Sequence, residues 1–226
     1  MKRILAFDGG DCLGKSTIID KLSEDLIDKN FIPYVFHLSS PADEYRSFFN
    51  ETNFGKLDSR ISNPFIQWEK FIQLFKDINI ILKSCPRNVI ILDRTPYSEN
   101  IWAKFFNRKN IFTDTDLLIE FLKLFQNINN EILFINLNVE TSILADRIIA
   151  REIDFKNYLN AYQLLFKNNI DDYNKVLIMI DYVKKEFIEL IKLLNSFNIE
   201  VKIFDNNTPS DIQTIILELH LMIEEK

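Results

Sequence analysis

Near its amino terminus the chain reads Arg3-Ile4-Leu5-Ala6-Phe7-Asp8-Gly9-Gly10-Asp11-Cys12-Leu13-Gly14-Lys15-Ser16-Thr17, and the architecture of the rest follows from it. Arg3–Phe7 is a short apolar run that ends in a turn, as a buried strand does. From Lys15 to Lys29 apolar residues return at helical spacing, at Ile18, Ile19, Leu22 and Leu26. Between them, residues 9–16 fit G-x-x-x-x-G-K-[ST] in the strand–loop–helix setting that pattern requires. Such a loop wraps a phosphate with backbone N–H groups pointing inward, and glycine tolerates the positive φ angles involved. The following helix adds the partial positive charge of its first turn. Lys15 is placed to reach the β- and γ-phosphates of ATP, and the Ser16 hydroxyl to ligate Mg²⁺. The chain has only four glycines, and Gly9, Gly10 and Gly14 all fall here.

Beyond this segment, strands and helices alternate. Tyr34–Leu38 reads as a second strand behind Pro33, and Asn63–Lys83 as a long helix opened by Asn63-Pro64. Val89-Ile90-Ile91-Leu92 is a continuous β-prone run, the pattern of a strand covered on both faces. Pro96–Phe106 and Asp116–Asn127 read as helices, Ile132–Leu137 as a strand and Val139–Glu152 as a single helix. Phe155–Phe197 is helix-rich, with Val176–Ile180 resembling a strand in isolation. Ile199–Phe204 is a last strand and Ser210–Ile223 a closing helix. Five strands separated by helices predict an α/β fold, a parallel sheet with helices on both faces. Ligands in such folds bind beyond the carboxyl ends of the strands, where each motif falls.

Asp93 and Arg94 follow the buried run. A carboxylate there acts through Mg²⁺ or its water, or takes the acceptor's proton; Arg94 can hold an acceptor phosphate by bidentate bonds. The bland alternative is a strand-end turn with a surface ion pair. Arg147 and Arg151 stand at i and i+4, which on one helix puts them on one face. Two guanidinium groups facing one way suit a transferring phosphoryl group; the alternative is a solvated face paired locally with Asp146 or Glu152.

Composition narrows the classes. With 226 residues, 47% of them hydrophobic, the chain can bury a real core, and the absence of repeats or linkers predicts one domain over 1–226. A net charge of -6 argues against a nucleic-acid partner. Asp8 interrupts the first apolar run, which is therefore no signal peptide, and no apolar stretch approaches a membrane span. Two cysteines, Cys12 and Cys85, make no disulfide framework and point to a reducing compartment, the cytoplasm. Two histidines and no Cys–His cluster argue against zinc and haem chemistry.

The segments Phe7–Thr17, Leu92-Asp93-Arg94-Thr95-Pro96-Tyr97-Ser98 and Ile132–Arg151 together resemble the thymidylate kinase-like and deoxynucleoside kinase group of P-loop kinases. The first is similar to that group's F-E-G-x-D-x-x-G-K-S-T, the second to its D-R-Y-x-x-S. The resemblance implies the P-loop kinase fold, strand order 2-3-1-4-5, with a helical lid at about 147–160 and a homodimer. It implies that Asp11 contacts the acceptor sugar, that Arg94 binds the acceptor phosphate, and that Arg147 and Arg151 stabilise the moving phosphoryl group. Asn206, within Asp205-Asn206-Asn207, falls where the adenine-side loop lies.

Departures concern the acceptor side. Thr95 replaces the group's tyrosine, Gln73 stands near an acceptor-gripping arginine, and Leu38-Ser39-Ser40-Pro41 lacks the arginine expected after the second strand, Arg46 being a candidate substitute. Trp68 and Phe71, with Phe48 and Phe49, are candidate pocket lining or simply core. The function expected is transfer of the ATP γ-phosphate to a deoxynucleoside monophosphate, thymidylate or an analogue. A deoxynucleoside kinase is the alternative, although such enzymes usually carry E-R-S and lack an acid in the loop. A nucleotide switch with no acceptor is the third reading.

Overall fold

The computed structural model describes residues 2–37, 76–95, 101, 123 and 131–224. Five strands, β1 (Ile4–Asp8), β2 (Ile32–His37), β3 (Asn88–Asp93), β4 (Ile132–Asn138) and β5 (Val201–Asp205), form one sheet in the order β2-β3-β1-β4-β5. All four pairings are parallel, and the expected order 2-3-1-4-5 is the one found. β1 is central and wholly buried, which explains its unbroken apolar run. Its register sets Ile4 opposite Ile90 and Ile132, and Phe7 opposite Asp93. The carboxyl ends of β1 and β3 therefore finish side by side.

Helices cover both faces. The described ones with full bounds are α1 (Lys15–Asp28), α2 (Thr141–Ile149), α3 (Glu152–Leu165), α4 (Asp172–Ser196) and α5 (Pro209–Glu224). Alternate strand residues part the core in two. Leu5, Phe7, Val89 and Ile91 pack with Leu22, Leu26 and Leu219, whereas Ile4, Ala6, Ile90 and Leu92 pack with Ile78, Leu82 and Leu194. Each fully buried Val, Leu, Ile or Phe side chain among them contributes about 1.5–3 kcal/mol from removal of apolar surface.

Several boundaries differ from the sequence reading, each for a local reason. β2 begins at Ile32 and carries Pro33 inside it, opposite Val89. It is an edge strand, where a missing N–H need leave no ladder bond unmade. Val176–Ile180 lies inside α4, whose buried positions Val176, Met179, Ile180, Val183 and Phe187 follow a helical period that outweighs the local β-branching. Asp171 starts that helix by accepting the Asn174 N–H at 3.0 Å.

The expected single helix Val139–Glu152 is two helices. It stops at Ile149, Arg151 is extended (φ -108, ψ 97), and α3 begins at Glu152. Arg147 and Arg151, expected on one face of one helix, consequently do not share a face, because the second arginine lies beyond the helix end.

Of the long helix expected over Asn63–Lys83, residues 76–83 are described and helical. The helices expected over Pro96–Phe106 and Asp116–Asn127 lie outside the described residues except at Ile101 and Lys123, both helical. No described helix is long and apolar enough to cross a membrane.

Candidate functional site

The turn after β1 is built by its backbone. Gly9 has φ 134 and Gly14 φ 86, and Cys12, at φ 58, takes the left-handed region without being glycine. A Cβ on Gly14 would lie 2.6 Å from Asn206 Nδ2, so the loop is tight as well as strained. Gly14 sits at the N-cap of α1, and the first turn of that helix holds no acidic residue. Its positive end therefore meets no acidic residue of its own first turn and faces the loop, which suits an anion.

Lys15 is buried, and its ammonium donates to the carbonyls of Gly9 at 3.2 Å and Gly10 at 2.5 Å. Burial, followed by the nearby Arg94 guanidinium, holds it below the ordinary 10.5, against the pull of Asp11, Asp8 and Asp93. Ser16 and Thr17 are exposed in the first turn of α1. Asp93, half-buried, ends β3 next to β1.

Arg94 follows at φ 71, a left-handed backbone held by its N–H bond to Phe7 O at 2.9 Å. That turn brings its guanidinium back to the loop, where Nη2 pairs with Asp11 Oδ1 at 2.7 Å. The two residues assigned to the acceptor thus meet beside the phosphate loop. Thr95, fully buried, donates its hydroxyl to Asp8 Oδ2, while Asp8 Oδ1 accepts the Gly9 N–H at 2.9 Å. Asp8 therefore ties the start of the loop to the turn after β3, a role the sequence reading did not assign. Its position at the tip of β1 was a signal, but its partner 87 residues away was not visible.

Asn206 is buried, and its amide donates to Leu13 O at 2.7 Å. Arg147 donates to the carbonyls of Asn206 and Asn207, both at 3.1 Å. It therefore braces the turn after β5, whereas Arg151 reaches the phosphate loop, its Nη1 3.9 Å from Cys12 Sγ. The Cys12 thiol donates to Asp154 Oδ2 at 3.1 Å, and Arg151 Nε lies 3.0 Å from the same oxygen. Burial, with the Asp154 hydrogen bond and charge, pushes that thiol from 9.0 up to about 12.

Tyr158 and Val183 back the loop, 3.5 and 3.4 Å from where a Gly10 Cβ would stand. Burial raises the Tyr158 phenol well above its usual range. Asp154 and Tyr158 were missed because nothing in a helical period marks which polar residue turns inward. Gln73, Trp68, Phe71, Phe48, Phe49, Arg46 and Leu38–Pro41 lie outside the described residues, as does Ser98.

Among the described residues no group of three or more His, Cys, Asp or Glu side chains forms a ready metal cage. Magnesium with a nucleotide takes most of its ligands from phosphate and water, so one hydroxyl and one carboxylate suffice from the protein. Exposed Ser16 and half-buried Asp93 have the right chemistry for that share.

No family model matches the chain, and no curated protein matches it. Solved structures do. The YorR protein of Bacillus subtilis, crystallised in complex with phosphorylated GDP, is 17% identical over 99% of both chains, with a TM-score of 0.53. A shikimate kinase of Bacteroides thetaiotaomicron (13% identical, 98% of both chains, TM-score 0.46) and a thymidylate kinase of Ehrlichia chaffeensis (14%, 99% of both chains, 0.47) are looser likenesses, too distant to weigh. The strand order and the loop between β1 and α1, with the likeness to YorR, define the P-loop kinase fold. Fold alone leaves the substrate open.

Proposed function

We propose that the chain transfers the γ-phosphate of ATP to a deoxynucleoside monophosphate, thymidylate or a close analogue, giving the diphosphate. The observation that carries this reading is the Asp11–Arg94 pair, 2.7 Å long and set against a phosphate loop whose lysine is buried at its mouth. Loop amides and the α1 terminus bind the β- and γ-phosphates, and Lys15 leaves the Gly9 and Gly10 carbonyls to follow the γ-phosphate. Arg94 grips the acceptor phosphate and Asp11 the acceptor sugar. An acceptor oxygen then attacks the γ-phosphorus in line as the bridging oxygen departs with ADP, and Arg151 neutralises charge on the equatorial oxygens. Ser16, and Asp93 directly or through water, would hold Mg²⁺, which would supply positive charge against the charge of the transferring phosphoryl group. Arg147 supports the adenine-side turn through Asn206, and the segment at about 147–160 serves as lid.

The same pair also bears on a second reading, a nucleoside acceptor. Asp11 already neutralises Arg94, which reduces the attraction for an acceptor phosphate. A coupled ADP-release assay with a panel of nucleosides and monophosphates separates the two. Turnover with thymidylate but not thymidine is expected; the reverse promotes the nucleoside kinase, and release that no acceptor stimulates favours a switch. Lys15→Ala should lower turnover at least ~10²-fold, as lost electrostatic stabilisers do. Near-wild-type rates in that variant would refute the loop assignment.

A further inference from the structure

Helix α3 opens with its chemistry reversed. Ile153 is 67% exposed while its neighbour Asp154 is buried at 8%. A carboxylate turned inward beside an isoleucine turned out breaks the ordinary pattern, and such breaks concentrate at functional sites. The inward carboxylate does not cap the helix, since the Arg151 N–H is bonded to Ile148 O at 3.0 Å. Its partners are instead the Cys12 thiol of the phosphate loop and the Arg151 guanidinium, both on Oδ2. Arg151 itself is 62% exposed along its side chain, so without a tether its long stem would sample many rotamers.

We infer that Asp154 is a positioning residue that holds Arg151 over the phosphate loop, fixing the guanidinium where the γ-phosphate of a bound triphosphate would lie. Cys12 is the loop-side anchor of this bridge: its sulfur lies within 3.9 Å of Arg151 Nη1 while its proton is given to Asp154. The inference rests on the proposed kinase reading and deepens it, because it names what orders the one arginine that reaches the loop from beyond α2.

The test is nucleotide binding to the full chain with Mg²⁺, comparing ATP analogues resistant to hydrolysis with ADP. Asp154→Asn keeps the volume and removes the charge. It is expected to lose roughly tenfold or more of the triphosphate-over-diphosphate preference, in the range that misplacing a working group costs. Affinity for ADP should stay within about threefold, since the inferred contact is to the γ-phosphate. In an Arg151→Ala background the same change should have no further effect on that preference, a coupling that a merely structural role would not give. If Asp154→Asn does not fold, Arg151→Lys carries the test, because it keeps the charge but loses the Nε contact to Asp154. An intact preference in Asp154→Asn, or a further loss in the Arg151→Ala background, overturns this inference alone. Wild-type protein that binds no triphosphate overturns the parent reading, and this inference with it.

Discussion

Cys12 and Arg94 both hold left-handed backbone, at φ 58 and φ 71, although neither is glycine. Each such residue costs on the order of 1–3 kcal/mol, and such strain gathers where a side chain must be aimed. Arg94 is aimed at Asp11, and Cys12 at Asp154. With its thiol raised to about 12, Cys12 is almost wholly protonated at pH 8. Its alkylation by iodoacetamide there should run roughly 10³-fold slower than that of an ordinary exposed thiol, read by peptide mass spectrometry. Asp154→Ala should recover part of that rate. Arg94→Ala should mainly raise the KM of the monophosphate acceptor while leaving that of ATP near its wild-type value, in steady-state kinetics.

The break between α2 and α3 divides two arginines that a continuous helix would have set together. Arg147 stays in α2 and braces Asn206 and Asn207; Arg151, freed from the helix, meets the phosphate loop. Their variants should therefore differ in kind. Arg147→Ala should weaken the binding of ADP and ATP alike, whereas Arg151→Ala should act on the triphosphate alone, measured by titration calorimetry. The turn into α1 is the other sensitive joint. Gly14→Ala puts a Cβ into φ 86 and 2.6 Å from the Asn206 amide. It should cost about 1–3 kcal/mol in denaturant unfolding from the backbone alone. Adding Asn206→Ala relieves the clash but not the dihedral, and it gives up the bond to Leu13 O, so the double variant should recover at most part of the loss.

Protonation couples this site to the stability of the entire chain. Lys15 is held below 10.5 in the fold, so between that lowered value and 10.5 the unfolded chain binds the extra proton and stability rises with pH. Cys12 has the opposite sign. Between 9.0 and about 12 the folded chain keeps the proton, and stability falls as pH rises. A bound triphosphate should restore the charge on Lys15. Binding in alkaline buffer below pH 10.5 is therefore expected to take up protons, seen as a dependence of the calorimetric heat on buffer ionisation enthalpy. Lys15→Ala should abolish that dependence.

The parallel sheet and the phosphate loop were legible in one dimension because each is a local pattern. A buried central strand must be apolar throughout, as β1 is, and a loop that wraps phosphate needs its glycines and lysine contiguous, as residues 9–17 supply them. The partners of that loop were not legible. Thr95 lies 87 residues from Asp8, Asp154 142 from Cys12, and Asn206 193 from Leu13. No periodicity links such distant positions, since the parallel strands that bring them together pair through backbone groups common to all residues. Where α2 ends, and so which arginine reaches the loop, belongs to the tertiary structure: beyond the break Asp154 meets Cys12 and Tyr158 stands behind Gly10, and the helical spacing of the residues between carries no mark of contacts with so distant a loop.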